Sequence, residues 1–189
     1  MGANEQSLIE IFGLGDELSL DARKRFRLPD ALVDELRRAY GQIAPHTDLP
    51  ADAVNRLPFY FAPGTNGRIF LYPAPNIEVA TARFERPPAG MDPARVRKAR
   101  DYFYGLLRFA EADRQSRLQL PEALRQHAEF GDDVDRIVLT CRGRWFMISK
   151  AASEREQTTE RRAAFEECSE DLLDWVEPGE AAGLDEELL

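Results

Sequence analysis

The sequence predicts an α+β fold, mainly β with short helices, in which two similar units pack as a pseudo-symmetric pair and a helix follows them. The first observation is a repeated motif, D-x-x-x-R-x-x-L-P-D/E-A-L, which begins at Asp21 and returns 92 residues later at Asp113. The second is a shared segment, G-R-x-F, which begins at Gly67 and Gly143 and keeps the same order relative to the motif. The third is a short apolar and polar alternation around each motif, which is typical of half-buried strands. Two matched segments in one order indicate a duplicated structural unit.

The first unit is predicted to span residues 12–75. Around the basic turn, Leu18 and Leu20 alternate with Ser19, and Phe26 and Leu28 alternate with Arg27, so a short strand is expected on each side. A helix follows from Pro29 to Gly41, with an apolar stripe of Leu32, Val33, Leu36 and Tyr40. Residues 44–58 are rich in Pro and Asp and are predicted to form an irregular loop. Two further strands are predicted at residues 59–62 and 68–72.

The residues from 76 to 105 are predicted to link the two units through a helix. Asp92 is a candidate N-cap, and Pro93 suits the first helical position. Four basic side chains follow on the helix, and they form either a solvated face or a second basic surface. They are Arg95, Arg97, Lys98 and Arg100.

The second unit is predicted to span residues 106–150 and to repeat the order of the first. Ala110 and Ala112, then Leu118 and Leu120, occupy the apolar strand positions. A helix from Pro121 to about Glu129 is expected to end at Gly131, and residues 136–149 are predicted to form two strands joined by a tight turn at Arg142-Gly143. Residues 151–176 are predicted to be a C-terminal helix, and residues 177–189 an acidic, mobile tail.

Composition and charge narrow the function classes. With 189 residues, 43% of them hydrophobic, the chain can bury a core. It has no apolar run of roughly 18 residues and no signal-peptide pattern at its start, so we expect a soluble, cytoplasmic protein without membrane contact. Two cysteines, Cys141 and Cys168, are too few for a disulfide framework or a thiolate metal site, and buried free thiols are expected.

The net charge of −9 is unevenly distributed. Residues 154–189 carry 13 acidic side chains and three arginines, which leaves 22 basic and 21 acidic side chains in residues 1–153. Within that nearly neutral body, the first motif concentrates Arg23, Lys24, Arg25 and Arg27 in one predicted turn and strand. This surface is expected to attract anions.

Several segments, taken together, resemble the MraZ family. They are the run from Phe12 to Asp21, the two D-x-x-x-R motifs each followed by L-P and a helix, and the segment Gly67-Arg-Ile-Phe-Leu-Tyr-Pro73. The resemblance covers about residues 12–150 and depends on the order of the motifs. It implies two tandem SpoVT/AbrB-like swapped-hairpin units in one chain and assembly into a ring-shaped homo-oligomer.

The resemblance also implies a function. Members of the family are nucleoid-associated transcriptional regulators that bind double-stranded DNA at direct repeats in the promoter of the division and cell-wall gene cluster. The residues that match the family's DNA-contacting turns here are Arg23, Lys24 and Arg25 in the first turn and Arg114 and Arg117 in the second. Asp21 and Asp113 are expected to hold the turn geometry.

The residues themselves leave two alternatives open for these turns. Arg25 and Arg117 can contact DNA, or each can fold back and clasp its turn through an ion pair with the motif aspartate. Arg23, Lys24 and Arg114 have no such obvious internal partner. The family usually has Gly before the motif arginine, whereas this chain has Lys24 and Ser116, so the turn shape is expected to differ.

A different class of function also remains open, namely a diverged ring-forming scaffold that binds a protein partner and no DNA. The acidic tail favours it, because the tail can compete with phosphate for the basic cluster, although the tail can also serve solubility alone. Catalysis is the least supported class. His46 and His127 stand in no metal-binding or nucleophile motif, and Gly13-Leu-Gly15 lacks the rest of a phosphate loop. We expect no enzyme activity, metal, cofactor or small-molecule substrate.

Overall fold

The computed structural model describes residues 8–11, 15–44, 52–156 and 159 of the chain. The chain divides into two compact units, residues 1–151 and residues 152–189. In the second unit the described residues, 152–156 and 159, are helical. The rest of the predicted C-terminal helix, the acidic tail and Cys168 lie outside the described residues. All strands and helices given below belong to the first unit.

Four strands and two helices form the first half of this unit. They are β1 (Asp16–Ser19), β2 (Arg25–Arg27), α1 (Asp30–Ile43), α2 (Ala53–Arg56), β3 (Pro58–Pro63) and β4 (Ile69–Pro73). A 3-10 turn (Ala74–Asn76), α3 (Ile77–Glu85) and α4 (Pro93–Leu106) then lead to the second half. The second half contains β5 (Arg108–Glu111), β6 (Arg117–Gln119), α5 (Glu122–His127), β7 (Arg136–Cys141) and β8 (Phe146–Lys150).

These elements confirm the predicted α+β class and the order of four strands and a principal helix in each half. The linking helix is also confirmed: α4 begins at Pro93, and the Asp92 carboxylate accepts the Ala94 N–H at 2.9 Å. Because the side chain at the N-cap satisfies an otherwise unpaired amide, it fixes where this helix starts.

Three boundaries differ from the prediction. The helix α1 continues two residues past Gly41 to Ile43, whose buried side chain makes the extension favourable. The segment predicted as an irregular loop contains α2, which buries Ala53. In the second half, α5 ends at His127, two residues before the predicted limit of Glu129. The backbone of Glu129 has a positive φ of 56°. A left-handed residue cannot continue a right-handed helix.

The strands form a six-stranded sheet in the order β1-β7-β8-β4-β3-β5 and a separate two-stranded ribbon, β2-β6. Every pairing is antiparallel. The strands β1, β3 and β4 of the first half correspond to β5, β7 and β8 of the second half. When these counterparts are exchanged, the strand order of the sheet is unchanged except that it is read from the opposite edge. The two halves therefore exchange strands, since β1 pairs with β7, β5 pairs with β3, and β2 pairs with β6.

One continuous core serves both halves. Phe26 and Leu118, which occupy equivalent positions in the two motifs, are direct register partners across the ribbon, and both are fully buried. Around them lie buried side chains from both halves, among them Leu36, Phe59, Leu124, Phe146 and Ile148. Burying each such side chain stabilises the fold by about 1.5–3 kcal/mol. The ribbon is therefore anchored to the sheet by its apolar face.

None of the helices in the described part of the chain is both long enough and apolar enough to cross a membrane.

Candidate nucleic-acid interface

The first D-x-x-x-R turn is organised by the carboxylate of Asp21. One oxygen, Oδ1, accepts the backbone N–H groups of Arg23 and Arg25, each at 2.9 Å, and the other, Oδ2, accepts Nε of Arg25 at 2.7 Å. Nη2 of Arg25 also lies 2.7 Å from Oδ2, which makes a side-on ion pair. The backbone closes the turn through Lys24 N–H to the Asp21 carbonyl at 2.8 Å. The aspartate therefore binds both the backbone of the turn and the motif arginine.

The second turn repeats this geometry at Asp113. Its Oδ1 accepts the N–H groups of Gln115 and Arg117 at 2.8 and 2.9 Å, and Oδ2 accepts Nε of Arg117 at 2.8 Å. Nη2 of Arg117 lies 2.8 Å from the same oxygen, and Ser116 N–H donates to the Asp113 carbonyl at 2.8 Å. Asp21 and Asp113 thus hold both turns in the way expected of them.

These contacts lower the pKa of both carboxyl groups. The pKa of Asp21 falls from 3.8 to about 2, first because of the side-chain hydrogen bond from Arg25 and then because of the Arg25 backbone N–H. For Asp113, desolvation is the largest single effect and raises the pKa, but the hydrogen bonds from Arg117 and Gln115 together outweigh it and lower the pKa. Both carboxylates are therefore stabilised in the charged form.

The residue before each motif arginine has a left-handed backbone. Lys24 has a φ of 56° and Ser116 a φ of 58°, in the region where glycine is favoured. The two turns close with matching hydrogen bonds, and each non-glycine residue adopts this conformation, which is strained for a residue with a Cβ atom.

The two turns lie at opposite ends of the short β2-β6 ribbon, and each contacts the strand of the other half. Leu28 N–H donates to the Ser116 carbonyl at 2.9 Å, and Leu120 N–H donates to the Lys24 carbonyl at 3.0 Å. These are equivalent contacts in the two halves, and they extend the ribbon into each turn. The sequence separates the two motifs by 92 residues, and the fold pairs their strands in one ribbon.

Successive side chains of a strand point to opposite faces, so the ribbon has an apolar and a polar face. Phe26 and Leu118 face the core, and the opposite face carries the residues that flank them. In the register, Arg25 lies opposite Gln119 and Arg27 lies opposite Arg117. We call these four side chains, Arg25, Arg27, Arg117 and Gln119, the ribbon face.

The predicted contact residues differ in how free they are. Arg25 and Arg117 clasp their turns, with side chains that remain 25% and 31% exposed. Arg23 and Arg114 are exposed, and within the described part of the chain no side-chain hydrogen bond or ion pair involves either of them. They are the freest basic groups of the two turns.

The expectation that Lys24 lacks an internal partner was wrong. Its Nζ donates to the backbone carbonyl of Asp132 at 2.7 Å and to that of Val134 at 3.1 Å. This lysine therefore fastens the first turn to the segment before β7, and its hydrogen-bonding capacity is largely used inside the molecule.

Arg27 and Gln119 belong to the candidate surface although neither was among the predicted contact residues. Both are exposed on the ribbon face. The Arg27 side chain is 63% exposed, and its guanidinium lies 2.6 Å from the Asp30 carboxylate at the start of α1. The alternation of Arg25, Phe26 and Arg27 contained the signal, because a strand with a buried Phe26 must turn both neighbours outwards.

Acidic groups also lie near the first turn. The segment that binds Lys24 carries Asp132, Asp133 and Asp135, all exposed, and the Asp135 carbonyl accepts the N–H of Leu20 at 2.7 Å. The Asp132 side chain is fully exposed. The local positive charge of the first turn is therefore partly offset by its neighbours.

The remaining candidate residues do not join this surface. His46 lies outside the described residues. His127 bridges two segments, with Nε2 2.8 Å from the Gly64 carbonyl and Nδ1 2.8 Å from the Tyr102 hydroxyl. Desolvation raises the pKa of the half-buried Cys141 thiol to about 11. Across residues 8–11, 15–44, 52–156 and 159, no three His, Cys, Asp or Glu side chains are grouped to hold a metal ion.

Compared with protein-family models and with curated proteins, the chain matches none.

Proposed function

We propose that this protein is an MraZ-like, sequence-specific DNA-binding transcriptional regulator, acting in the cytoplasm at the nucleoid, with the division and cell-wall gene cluster as its target. The resemblance of its tandem motifs to that family supplies the class of target. The observation that carries the proposal is the β2-β6 ribbon, which has one D-x-x-x-R turn at each end.

The shape and charge of the ribbon support DNA as the partner. The major groove of B-DNA admits a two-stranded β-ribbon, and arginine side chains on it can reach base edges and phosphates. The ribbon face and its two turns carry six basic side chains: Arg23, Lys24, Arg25, Arg27, Arg114 and Arg117. They are clustered although the chain as a whole is acidic.

The clasped arginines are suited to a contact of fixed geometry. Each aspartate engages Nε and Nη2 of its arginine, so Nη1 has no hydrogen-bond partner within the described residues. An arginine held in this way loses little conformational entropy on binding, because it is already ordered. Arg25 and Arg117 thus serve the turn and the DNA together, whereas Arg23 and Arg114 supply flexible phosphate contacts.

The tandem swapped-hairpin architecture and the ring-shaped homo-oligomer belong to the same proposal. The swapped-hairpin architecture is supported by the pairing of strands between the halves. It is also supported by a strand order that stays the same when the two halves are exchanged. The ring-shaped homo-oligomer is supported by four large exposed apolar side chains, which offer a surface that a neighbouring copy could cover. They are Met91, Tyr102, Tyr104 and Phe109. Multiple ribbons in one ring would bind promoter repeats with a higher effective concentration than a single one.

A second candidate function is a protein-binding scaffold that does not bind DNA. It is favoured by the carboxylates that neutralise the surface: Asp21, Asp30 and Asp113 each pair with an arginine of the ribbon, and the segment that binds Lys24 carries three exposed aspartates. The two functions differ in one measurable property, which is affinity for duplex DNA.

A fluorescence-anisotropy titration with duplexes from the region upstream of the gene tests the proposal. We expect the wild type to bind, and the double variant Arg23→Ala, Arg114→Ala to bind at least about tenfold more weakly with a shallower salt dependence, because two phosphate contacts release fewer counterions. Arg38→Ala is the control, since Arg38 is exposed on α1, about 12 Å along the helix from its first residue. Its affinity should change far less.

Two results would contradict the proposal. Loss of affinity equal in the Arg38→Ala control and the double variant would move the contact away from the turns. A wild type that binds no duplex at low salt would favour the scaffold function, and light scattering would then establish whether it still forms oligomers.

A further inference from the structure

The backbone of the ribbon is nearly two-fold symmetric, but its side chains are not. Phe26 and Leu118 occupy equivalent positions in the two motifs and also lie directly opposite each other across the ribbon. The symmetry axis therefore passes between them. The same 92-residue offset makes Arg25 equivalent to Arg117, and both are clasped arginines. It makes Arg27 equivalent to Gln119, and there the chemistry differs.

Gln119 is also the one member of the ribbon face that no carboxylate engages within the described residues. Arg25 and Arg117 pair with their motif aspartates, and Arg27 pairs with Asp30. The Gln119 side chain is exposed and has no hydrogen bond to another described residue. Its amide is therefore available to a partner that approaches the ribbon.

We propose that Gln119 is a specificity-determining residue that reads adenine in the major groove, an inference that rests on the DNA-binding function proposed above. A glutamine amide can accept a hydrogen bond from adenine N6 and donate one to N7, whereas arginine in the equivalent position pairs with guanine O6 and N7. Direct cross-strand neighbours have Cβ atoms about 4.5–5.5 Å apart, so Gln119 acts beside the ordered Arg25.

The DNA sequence that one protein chain recognises is therefore asymmetric. Three arginines favour guanine on the ribbon face, and the fourth position favours adenine. A palindromic site would present the same base to Arg27 and to Gln119, and one of them would be mismatched. A directional, non-palindromic element suits this surface better.

Selection of bound duplexes from a randomised pool, followed by titration of the preferred duplex and its single-base variants, tests the assignment. The wild type should prefer adenine at one position by about tenfold. Gln119→Ala should bind duplexes with and without adenine at that position almost equally well. It should retain its affinity for random duplex. Gln119→Arg should change the preference from adenine to guanine and make the selected site more symmetric.

The matched control is Gln42→Ala. Gln42 is an exposed glutamine near the far end of α1, about 18 Å along the helix from its first residue. Its selected sequence should equal that of the wild type. If Gln119→Ala and Gln119→Arg both select the wild-type sequence, Gln119 is not the reader, and the DNA-binding function stands. If the wild type binds no duplex, both proposals are overturned.

Discussion

At the scale of single residues, the D-x-x-x-R spacing is explained by one carboxylate with two duties. In each turn, one oxygen of the aspartate accepts two backbone N–H groups and the other accepts the arginine. Three residues lie between the partners, because a four-residue turn that begins at the aspartate brings its two ends close together just before the arginine. Neither residue can be moved by one position without losing this arrangement.

The charge of Asp21 should make the stability of the protein depend on pH. The folded-state pKa of about 2 lies below the ordinary value of 3.8, so the stabilisation is fully present above the ordinary pKa and is lost as pH falls through the folded pKa. We expect Asp21→Asn to lower the urea midpoint at neutral pH, with a difference from wild type that shrinks between about pH 5 and pH 2.

Urea denaturation at a series of pH values measures this effect. The control is Asp34→Asn, which removes an exposed carboxylate of α1 that has no ion-pair partner among the described residues. Its midpoint should follow the wild type at each pH. A gap between Asp21→Asn and wild type that is as large at about pH 2 as at neutral pH would refute the role of the charged form.

At the scale of elements, each turn contains a residue that is conformationally unfavourable where it stands. Lys24 and Ser116 have positive φ, which is disfavoured for residues with a Cβ atom by about 1–2 kcal/mol. Lys24 offsets this cost with the two hydrogen bonds from Nζ, whereas the Ser116 side chain has no partner among the described residues. The second turn is therefore the less favourable of the two.

Substitutions at Ser116 should reveal that cost. We expect Ser116→Gly to raise the free energy of unfolding by up to about 1 kcal/mol, and Ser116→Val to lower it by about 1–2 kcal/mol because a β-branched side chain tolerates positive φ poorly. Lys24→Gly should gain less than Ser116→Gly, since it also removes the Nζ contacts. Urea denaturation measures all three, and a Ser116→Val variant as stable as Ser116→Gly would contradict the explanation.

Local signals in the sequence predicted most elements correctly. The alternation around Phe26 and Leu118 predicted β2 and β6, and the pairing of Asp92 with Pro93 predicted the start of α4. The short helix α2 was missed because its four residues, Ala53–Arg56, contain too little periodicity to distinguish them from a loop.

Contacts between distant segments could not be predicted in the same way. The motif spacing allowed the clasp by Asp21 and Asp113, and the structure contains it. The partners of Lys24 were not predictable, because the carbonyls of Asp132 and Val134 lie 108 and 110 residues away and contribute no side-chain signal. The inclusion of Arg27 and Gln119 in one face depends likewise on the register of β2 against β6.

At the scale of the whole molecule, each half lacks partners for two of its four strands. The edge strands β1 and β5 pair only with strands of the opposite half within the described residues, and each ribbon strand pairs across the repeat. The core around Phe26 and Leu118 is likewise shared. Separation would expose the apolar face of the ribbon and leave strand edges open.

We therefore expect neither half to fold as a monomer. Residues 1–90 and residues 91–156, produced separately, should show little stable structure by circular dichroism or should self-associate, while mixing them should restore ordered structure. The chain comprising residues 1–156 is the control and should unfold in one cooperative transition. A monomeric fragment with sharp, cooperative unfolding would show that the halves are independent.

The exchange of strands also sets the order of events during synthesis. Ser19 at the end of β1 pairs with Arg136, which the ribosome adds 117 residues later. At about 5–20 residues per second, β1 waits about 6 to 23 seconds for its partner, and β2 waits almost as long for β6. Over that interval β2 lacks its native partner strand and its apolar face is exposed. Chaperones or rapid synthesis are therefore needed to keep a growing chain from pairing with another copy.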